Sequence, residues 1–231
     1  MRALCWSGIG KVAVQDVPEP RILNRQDALV KVSASSVCGS DLHLLDGYVP
    51  TMMAGDVIGH EFVGEVVEVG PDVRERRVGE RVTVCSDIGC GRCRYCRDQL
   101  WSLCDNSNPN PGTLDMLNGH AGAGIFGYSH AMGGFAGSHA EYVRVPYADV
   151  NAFGVPDSVP DSCAVFASDA VPTGWMGADL AEVRPGDVVA VWGCGGVGLM
   201  AVMAARLMGA DKVISIDRYP ERLAMAQRLG A

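Results

Sequence analysis

Four cysteines crowd into one short stretch, Cys90-x2-Cys93-x2-Cys96-x7-Cys104. Thiolates spaced in this way offer the four soft donors that one zinc ion takes at tetrahedral corners. A chain carrying them must fold a compact loop back on itself between positions 90 and 104. A closed four-sulfur site leaves no coordination position for water or substrate, so it pins a loop and does not catalyse. Arg92, Arg94 and Arg97 lie among the sulfurs, where their charge offsets an anionic cluster. Free thiols, two disulfides or an iron–sulfur cluster are the alternatives. Spacing and a reducing compartment favour structural zinc at Cys90, Cys93, Cys96 and Cys104.

The compartment is read from the rest of the chain. The N-terminus MRALCWSGIG lacks the long apolar core of a signal peptide, and no apolar run is long enough to span a bilayer. The expectation is a cytoplasmic protein without a membrane partner. Hydrophobic residues at 48% and charged residues at 20% are ordinary for a globular chain, so disorder is not the default. A net charge of -8 argues against nucleic acid, which needs a basic face. Of the remaining cysteines, Cys5, Cys85 and Cys163 read as core positions, and Cys194 as a tolerated variable position or an oxidisable thiol.

Two regimes of hydrophobic patterning follow one another. Leu4–Trp6 and Lys11–Gln15 flank the turn Gly8-Ile9-Gly10 as a hairpin. Residues 28–34 alternate with period two, as a half-buried strand does. Phe62–Val69, Arg81–Val84 and Glu141–Val145 read as further strands. The Gly-, Asn- and Pro-rich stretch from Asn106 to Ser138 reads as one long loop. His120, His130 and His139 lie in or beside that stretch, no spacing marks them as ligands, and they read as structural or solvent-facing. From Asp161 onward the pattern turns helical, interrupted by Pro172. Val188–Trp192 then fits a strand buried on both faces, Val197–Met208 a helix, Lys212–Ile216 a strand, and Pro220–Leu229 a helix. The boundary between the β-rich part and this β-α-β-α series is expected near 150–160.

Between the strand at 188–192 and its helix stands Gly193-Cys194-Gly195-Gly196-Val197-Gly198. A lone G-x-G-x-x-G is weak, but this one sits between a strand and a helix, the context that marks a dinucleotide site. Gly193 permits the tight turn, Gly195 lets backbone approach a pyrophosphate, and Gly198 allows close helix–strand packing. With Gly196 and Val197, they place phosphate at a helix N-terminus. Asp217 ends the second strand roughly 20 residues on, where a carboxylate bonds ribose hydroxyls and repels a 2′-phosphate. NAD is therefore preferred over NADP. Arg218 beside it can stack on adenine or accept a phosphate.

Taken in order, these motifs resemble a known family. They are Val37-Cys-Gly-Ser-Asp-Leu-His43, Gly59-His-Glu-Phe-Val-Gly-Glu65, Val78-Gly-Glu-Arg-Val82, the four-cysteine lobe and the glycine loop. The chain is similar along essentially its whole length to zinc-dependent medium-chain alcohol dehydrogenases, nearest to the glutathione-independent formaldehyde dehydrogenase-like branch. The resemblance implies a fold class of α/β plus β. A GroES-like β-rich catalytic domain would occupy 1–155. Linking helices and the first half (β-α-β-α) of a Rossmann domain would occupy 156–231. It also implies two zinc ions, one catalytic and one structural, and NAD as cosubstrate.

The resemblance carries specific roles. Cys38 and His60 stand where the family places two catalytic-zinc ligands. Asp169, in Ser168-Asp-Ala-Val-Pro-Thr-Gly174, stands where most members have a cysteine; the formaldehyde dehydrogenase-like branch has an aspartate there, and a carboxylate is a legitimate ligand. Read alone, Cys38 is a small buried apolar residue, His60 a core histidine and Asp169 a helix cap or surface acid. Glu61 is implied behind the metal and able to swing onto it, and Asp41 matches a carboxylate that orients the ligating histidine. Ser40 and His43 match a proton relay to solvent; their bland readings are a helix cap and a surface residue. Hydride would pass between a small alcohol, or an aldehyde hydrate, and NAD, with polyols and amino-alcohols as further substrates. The full-length form would be a homo-oligomer, dimer or tetramer. The chain stops after the second helix of the nucleotide domain, so a truncated form is expected. This chain would then be a zinc-binding module of the same fold with little or no turnover.

Overall fold

The computed structural model describes residues 1–116 and 118–231. Two compact units divide the chain, Met1–Ser168 and Asp169–Ala231.

The first unit is built on strands. β1 (Arg2–Gly8) and β2 (Lys11–Asp16) form the expected antiparallel hairpin. A five-stranded sheet then combines β3 (Ala28–Ser36), β4 (Glu61–Val69), β5 (Arg81–Val84), β8 (Tyr142–Val145) and β9 (Ala152–Gly154) in the order β8-β3-β4-β5-β9. Every pairing in it is antiparallel. The period-two pattern of β3 holds from Lys31 onward, whereas Ala28, Leu29 and Val30 are all buried because that end lies between β8 and β4. Val30, Phe62, Val66, Val82, Val84, Val143 and Val145 are completely or almost completely excluded from solvent. Phe62 meets Phe126 edge to face, with centroids 5.6 Å apart, which orders that core beyond its area burial.

The stretch from Asn106 to Ser138 is not one long loop. It carries α3 (Gly112–Asn118), the short strand β7 (Gly124–Ile125) paired with β6 (Asp87–Ile88), and a single 3-10 turn at His130–Met132. Glycines and asparagines hid these pieces because each is too short to show a period. They are held by side chains instead: the Asn108 amide donates to the Ala131 carbonyl at 2.9 Å, and His130 lies 3.0 Å from Asp56.

Further short helices complete the unit. α1 (Gly39–Leu45) follows β3, α2 (Arg94–Arg97) lies inside the cysteine lobe, and α4 (Ala148–Asn151) precedes β9. At its C-terminal edge α5 (Asp161–Ala164) and a 3-10 turn keep Ala164 and Val165 packed against Val63, Ala34, Val155 and Val159. That packing carries the first compact unit to Ser168. Asn151 stitches the sheet to the cysteine lobe. Its carbonyl oxygen accepts from Gly89 N–H at 2.8 Å, and its amide donates to the carbonyls of Gly89 at 2.9 Å and Pro146 at 2.8 Å.

The second unit holds α6 (Ala170–Leu180), β10 (Val188–Trp192), α7 (Gly196–Leu207), β11 (Lys212–Ile216) and α8 (Pro220–Arg228). β10 and β11 pair in parallel, as the β-α-β-α reading requires. Pro172 does not break α6; it sits in the first turn, where a missing N–H costs nothing. Val202, Ala205, Ala210 and Val213 form the buried cluster, with Val189 and Val191 packed on it. The expectation that Val188–Trp192 is buried on both faces is not met. Val188 and Trp192 point away from that cluster and are 64% and 75% exposed, because the helix layer of this unit covers only one face of the strand pair.

Candidate metal centres and nucleotide loop

The four-cysteine lobe comes together as its spacing predicts. The ligand atoms of Cys90, Cys93, Cys96 and Cys104 lie within 4.8 Å of one another. Sulfurs of Cys90 and Cys96 are 4.0 Å apart, as are those of Cys93 and Cys104. A tetrahedral ion with bonds of about 2.3 Å sets its sulfurs about 3.8 Å apart, so one metal fits the space. All nine cysteines are free, and these sulfur separations are well beyond a disulfide bond. Cys163 is exposed and Cys85 half-buried, so of the three expected core thiols only Cys5 is a core residue.

Backbone N–H groups turn inward to the sulfurs. Cys90 Sγ accepts from the N–H of Arg92 and of Cys93 and from the Asn106 amide, at 3.5, 3.4 and 3.3 Å. Burial works against ionising Cys90, but these donors outweigh it and bring the thiol down to about 6. Cys96 has the opposite fate: burial first, then the neighbouring Cys93 and Cys104 sulfurs, push it up to about 12. Four sulfurs that cannot all be anionic without a counter-charge are what a divalent cation would satisfy.

A second cluster joins residues far apart in the chain. Cys38, His60 and Glu61 bring their ligand atoms within 4.8 Å of one another. Cys38 is the N-cap of α1, and Asp41 in the first turn accepts its backbone N–H at 2.9 Å. His60 and Glu61 enter β4 and are 4% and 3% exposed. Asp41 Oδ1 lies 3.6 Å behind His60 Nδ1, while His60 Nε2 faces Ser40 Oγ at 3.3 Å. A carboxylate behind Nδ1 favours the proton there and leaves the Nε2 lone pair for a metal, so this donor set fits a mixed sulfur, nitrogen and oxygen site. His60 holds the Cys38 thiol below its ordinary value against the opposing effect of burial, and Ser40 adds to the effect. For Asp41, burial acts to raise the carboxyl, and His139, His60 and the Cys38 N–H together outweigh it and hold it below 3.8.

The other expected residues are placed as follows. His43 lies one turn beyond Ser40 on α1, exposed, and meets Tyr48 edge to face at 6.1 Å. Glu61, expected behind the metal, has its carboxylate among the donor atoms. Asp169 is the N-cap residue of α6 in the second unit, and its Oδ1 accepts from Thr173 Oγ1 at 2.7 Å. Two residues that carry the sites escaped the sequence reading. Asn106 donates to a cysteine sulfur. His139 contacts Asp41 at 3.5 Å, whereas it had read as structural or solvent-facing. Asn106 stands two residues beyond the last cysteine, a usable local signal; His139 has none.

In the second unit the glycine loop has the geometry of a phosphate cradle. A Cβ on Gly198 would lie 1.8 Å from the Gly193 carbonyl oxygen, so only glycine lets α7 start this close to β10. By contrast, Gly195 and Gly196 face open space, where a side chain would fill the approach to the N-terminus of α7. Val197 follows in the first turn, 39% exposed. Asp217 accepts from Cys194 N–H at 2.7 Å and Tyr219 N–H at 2.9 Å, so it closes the loop on β11 and leaves lone pairs on each oxygen. The guanidinium groups of Arg218 and Arg222 each lie 4.7 Å from the Tyr219 ring centroid. Arg218 is thus already stacked, on a tyrosine of its own chain.

The family model for the alcohol dehydrogenase GroES-like domain matches residues 24–157, and that for zinc-binding dehydrogenases matches 196–231. The chain belongs to the zinc-type, medium-chain alcohol dehydrogenases. It is 44% identical over 230 residues to the zinc-type alcohol dehydrogenase-like protein AdhB of Bacillus subtilis, covering 99% of this chain and 58% of that protein. It is 39% identical over 241 residues to a glutathione-independent formaldehyde dehydrogenase of Pseudomonas aeruginosa, covering 99% of this chain and 57% of the relative. Among solved structures, alcohol dehydrogenase TADH from Thermus sp. ATN1 superposes with a TM-score of 0.89 at 40% identity, covering 100% of this chain and 62% of the other. The chain thus spans just over half the length of the curated relatives it matches. The family carries the expected fold, a GroES-like domain followed by the start of the Rossmann-like domain. Among the described residues no helix is long and apolar enough to cross a membrane.

Proposed function

We propose that this chain serves a zinc-dependent oxidoreductase that moves hydride between a small alcohol, or an aldehyde hydrate, and NAD. The observation that carries the reading is the meeting of Cys38, at the cap of α1, with His60 and Glu61, at the start of β4, within 4.8 Å. A zinc ion bound there would supply Lewis acidity to a substrate oxygen, and NAD would take the hydride. The protein's own residues do the rest. Asp41 fixes the tautomer and aim of His60. Ser40, whose hydroxyl both donates and accepts, takes the proton of a substrate hydroxyl at Oγ. His43, on the same helix face and open to solvent, receives it and releases it to water. The glycine loop before α7 receives the pyrophosphate, and Asp217 supports NAD over NADP by repelling a 2′-phosphate. The four-cysteine lobe would hold a second zinc, which would shape the chain without touching substrate. Free thiols throughout fit a cytoplasmic setting, and assembly as a dimer or tetramer belongs to the proposal for the whole protein.

Asp169 is assigned to the catalytic metal by sequence resemblance alone, whereas Glu61 is gathered with Cys38 and His60. Metal analysis of the purified chain should give two zinc ions, falling to one in His60→Ala. Chelator competition then compares Glu61→Gln with Asp169→Asn, and the variant that loses more affinity identifies the third ligand. Turnover of small primary alcohols with NAD separates a working dehydrogenase from a zinc-binding module of the same fold. A chain that holds a single zinc with all cysteines reduced defeats the reading.

A further inference from the structure

We infer that His139 is a positioning residue for the mixed-donor metal site, lying behind both His60 and Glu61 through close contacts with Asp41, Ser35 and Gly59. This rests on the proposal that Cys38, His60 and Glu61 bind metal. His139 reaches the site from the segment leading into β8, far from the ligands in sequence. Its Nε2 lies 3.5 Å from Asp41 Oδ2, while the other oxygen of the same carboxylate lies 3.6 Å from His60 Nδ1. One carboxylate is therefore flanked by two imidazoles, with the Cys38 N–H as a third partner at 2.9 Å.

The other ring nitrogen completes a second arm. His139 Nδ1 is 2.9 Å from Ser35 Oγ, and Ser35 Oγ donates to the Glu61 carbonyl at 3.0 Å. That hydroxyl gives its proton to Glu61, so with the His139 proton on Nε2, toward Asp41, the group that donates to Ser35 is Ser138 Oγ at 2.9 Å. The backbone locks the same residue in place: His139 N–H donates to the Ile58 carbonyl at 2.9 Å, and its carbonyl accepts from Leu4 N–H at 2.7 Å. The ring then rests against Gly59, the residue before His60. A Cβ on Gly59 would meet His139 ring atoms at 2.6 to 2.8 Å, and φ of +96° independently demands glycine there. The pair His139 and Gly59 thus fits as a unit beside the ligand. The side chain is 10% exposed, so water does not replace these contacts cheaply.

A group that acts through Asp41 changes how firmly His60 is aimed. Partners of metal-bound histidines typically alter metal affinity about 10- to 100-fold. The test uses the whole chain with Co²⁺ in place of zinc, in two variants. His139→Phe keeps a ring against Gly59 but cannot donate; His139→Gln keeps an N–H donor toward Asp41. Chelator competition and the d–d absorption of Co²⁺ report the mixed-donor site, and the thiolate charge-transfer band of the four-cysteine lobe serves as the folding control. The phenylalanine variant is expected to lose about tenfold in affinity at the mixed site only, with an altered d–d band, and the glutamine variant to stay within about threefold of wild type. Wild-type affinity and spectrum in His139→Phe overturn the inference. If that variant fails to fold, a tenfold loss in His139→Gln overturns it and retention supports it. A wild-type chain that binds only one Co²⁺ overturns the metal reading itself, and this inference with it.

Discussion

The four-cysteine lobe and the Cys38–His60–Glu61 cluster build donor sets by opposite routes. The lobe draws all its ligands from one short loop, and its sulfurs are served mainly by backbone N–H groups of that same loop. The mixed cluster takes Cys38 from the cap of α1 and His60 and Glu61 from the start of β4. The side chains packed behind them are Asp41 from α1 itself, Ser35 from β3 and His139 from the segment before β8. A local site is stiff because its chain path is short. A site assembled at long range is stiff only if its supporting contacts are kept, and those contacts are where its chemistry can be tuned.

That contrast can be broken experimentally. The largest effect is expected from Cys90→Ala, which removes the sulfur with three hydrogen-bond donors. It should lose one zinc, and with it the stabilisation that metal gives, about 4 kcal/mol where free zinc stands a thousandfold above its Kd. Metal analysis and thermal melts check this; an unchanged melt would show that the lobe is ornamental. His60→Ala should release the other zinc, weakening that site by more than about a hundredfold while the melt moves far less. Equal destabilisation by both variants would erase the distinction between a shaping metal and a working one.

Asp41→Asn should weaken the mixed site about 10- to 100-fold and leave the lobe alone. The folded state holds the Asp41 carboxyl below 3.8. Its contribution to stability is therefore fully present above that pH and is lost as the pH falls through the lower folded value. Acid unfolding of the metal-free wild type should show this loss, and Asp41→Asn should lack it. The smallest effect is expected from Asn106→Ala, which removes one N–H donor from Cys90 and should cost about 1 kcal/mol. Zinc release kinetics from the lobe read it directly, and an unchanged rate would mean the backbone donors suffice.

What could be read from the sequence follows the same division. The cysteine spacing predicted a compact four-sulfur site without any structure, because each ligand's position follows from its neighbours. The strand–glycine loop–helix unit was equally legible, since Gly198 must abut Gly193 in any chain that turns so tightly. Cys38 and His60 were reachable only through the family resemblance, for nothing local to either marks it as a ligand. His139 was not reachable at all: its partners are Asp41, Ser35 and Gly59, and the pairing of β3 with β4 and β8 is what brings them near. The stretch from Asn106 to Ser138 misled because short elements held by side chains leave no period. Val188–Trp192 misled because an apolar run reports what a strand tolerates, not whether a layer lies on each side of it.

Asn151 has a consequence for how this molecule comes apart. One amide side chain clasps both the N–H and the carbonyl of Gly89 at the root of the cysteine loop, while its own backbone ends α4, one residue before the edge strand β9. It works as a rivet between two parts that each have their own cohesion. Stripping the loop of metal should loosen everything beyond Gly89 and stop there, so hydrogen exchange would quicken across 90–104 while amides of β3 and β4 stay protected. Replacing Asn151 with a residue that cannot grip both groups would let that unravelling run on into the sheet.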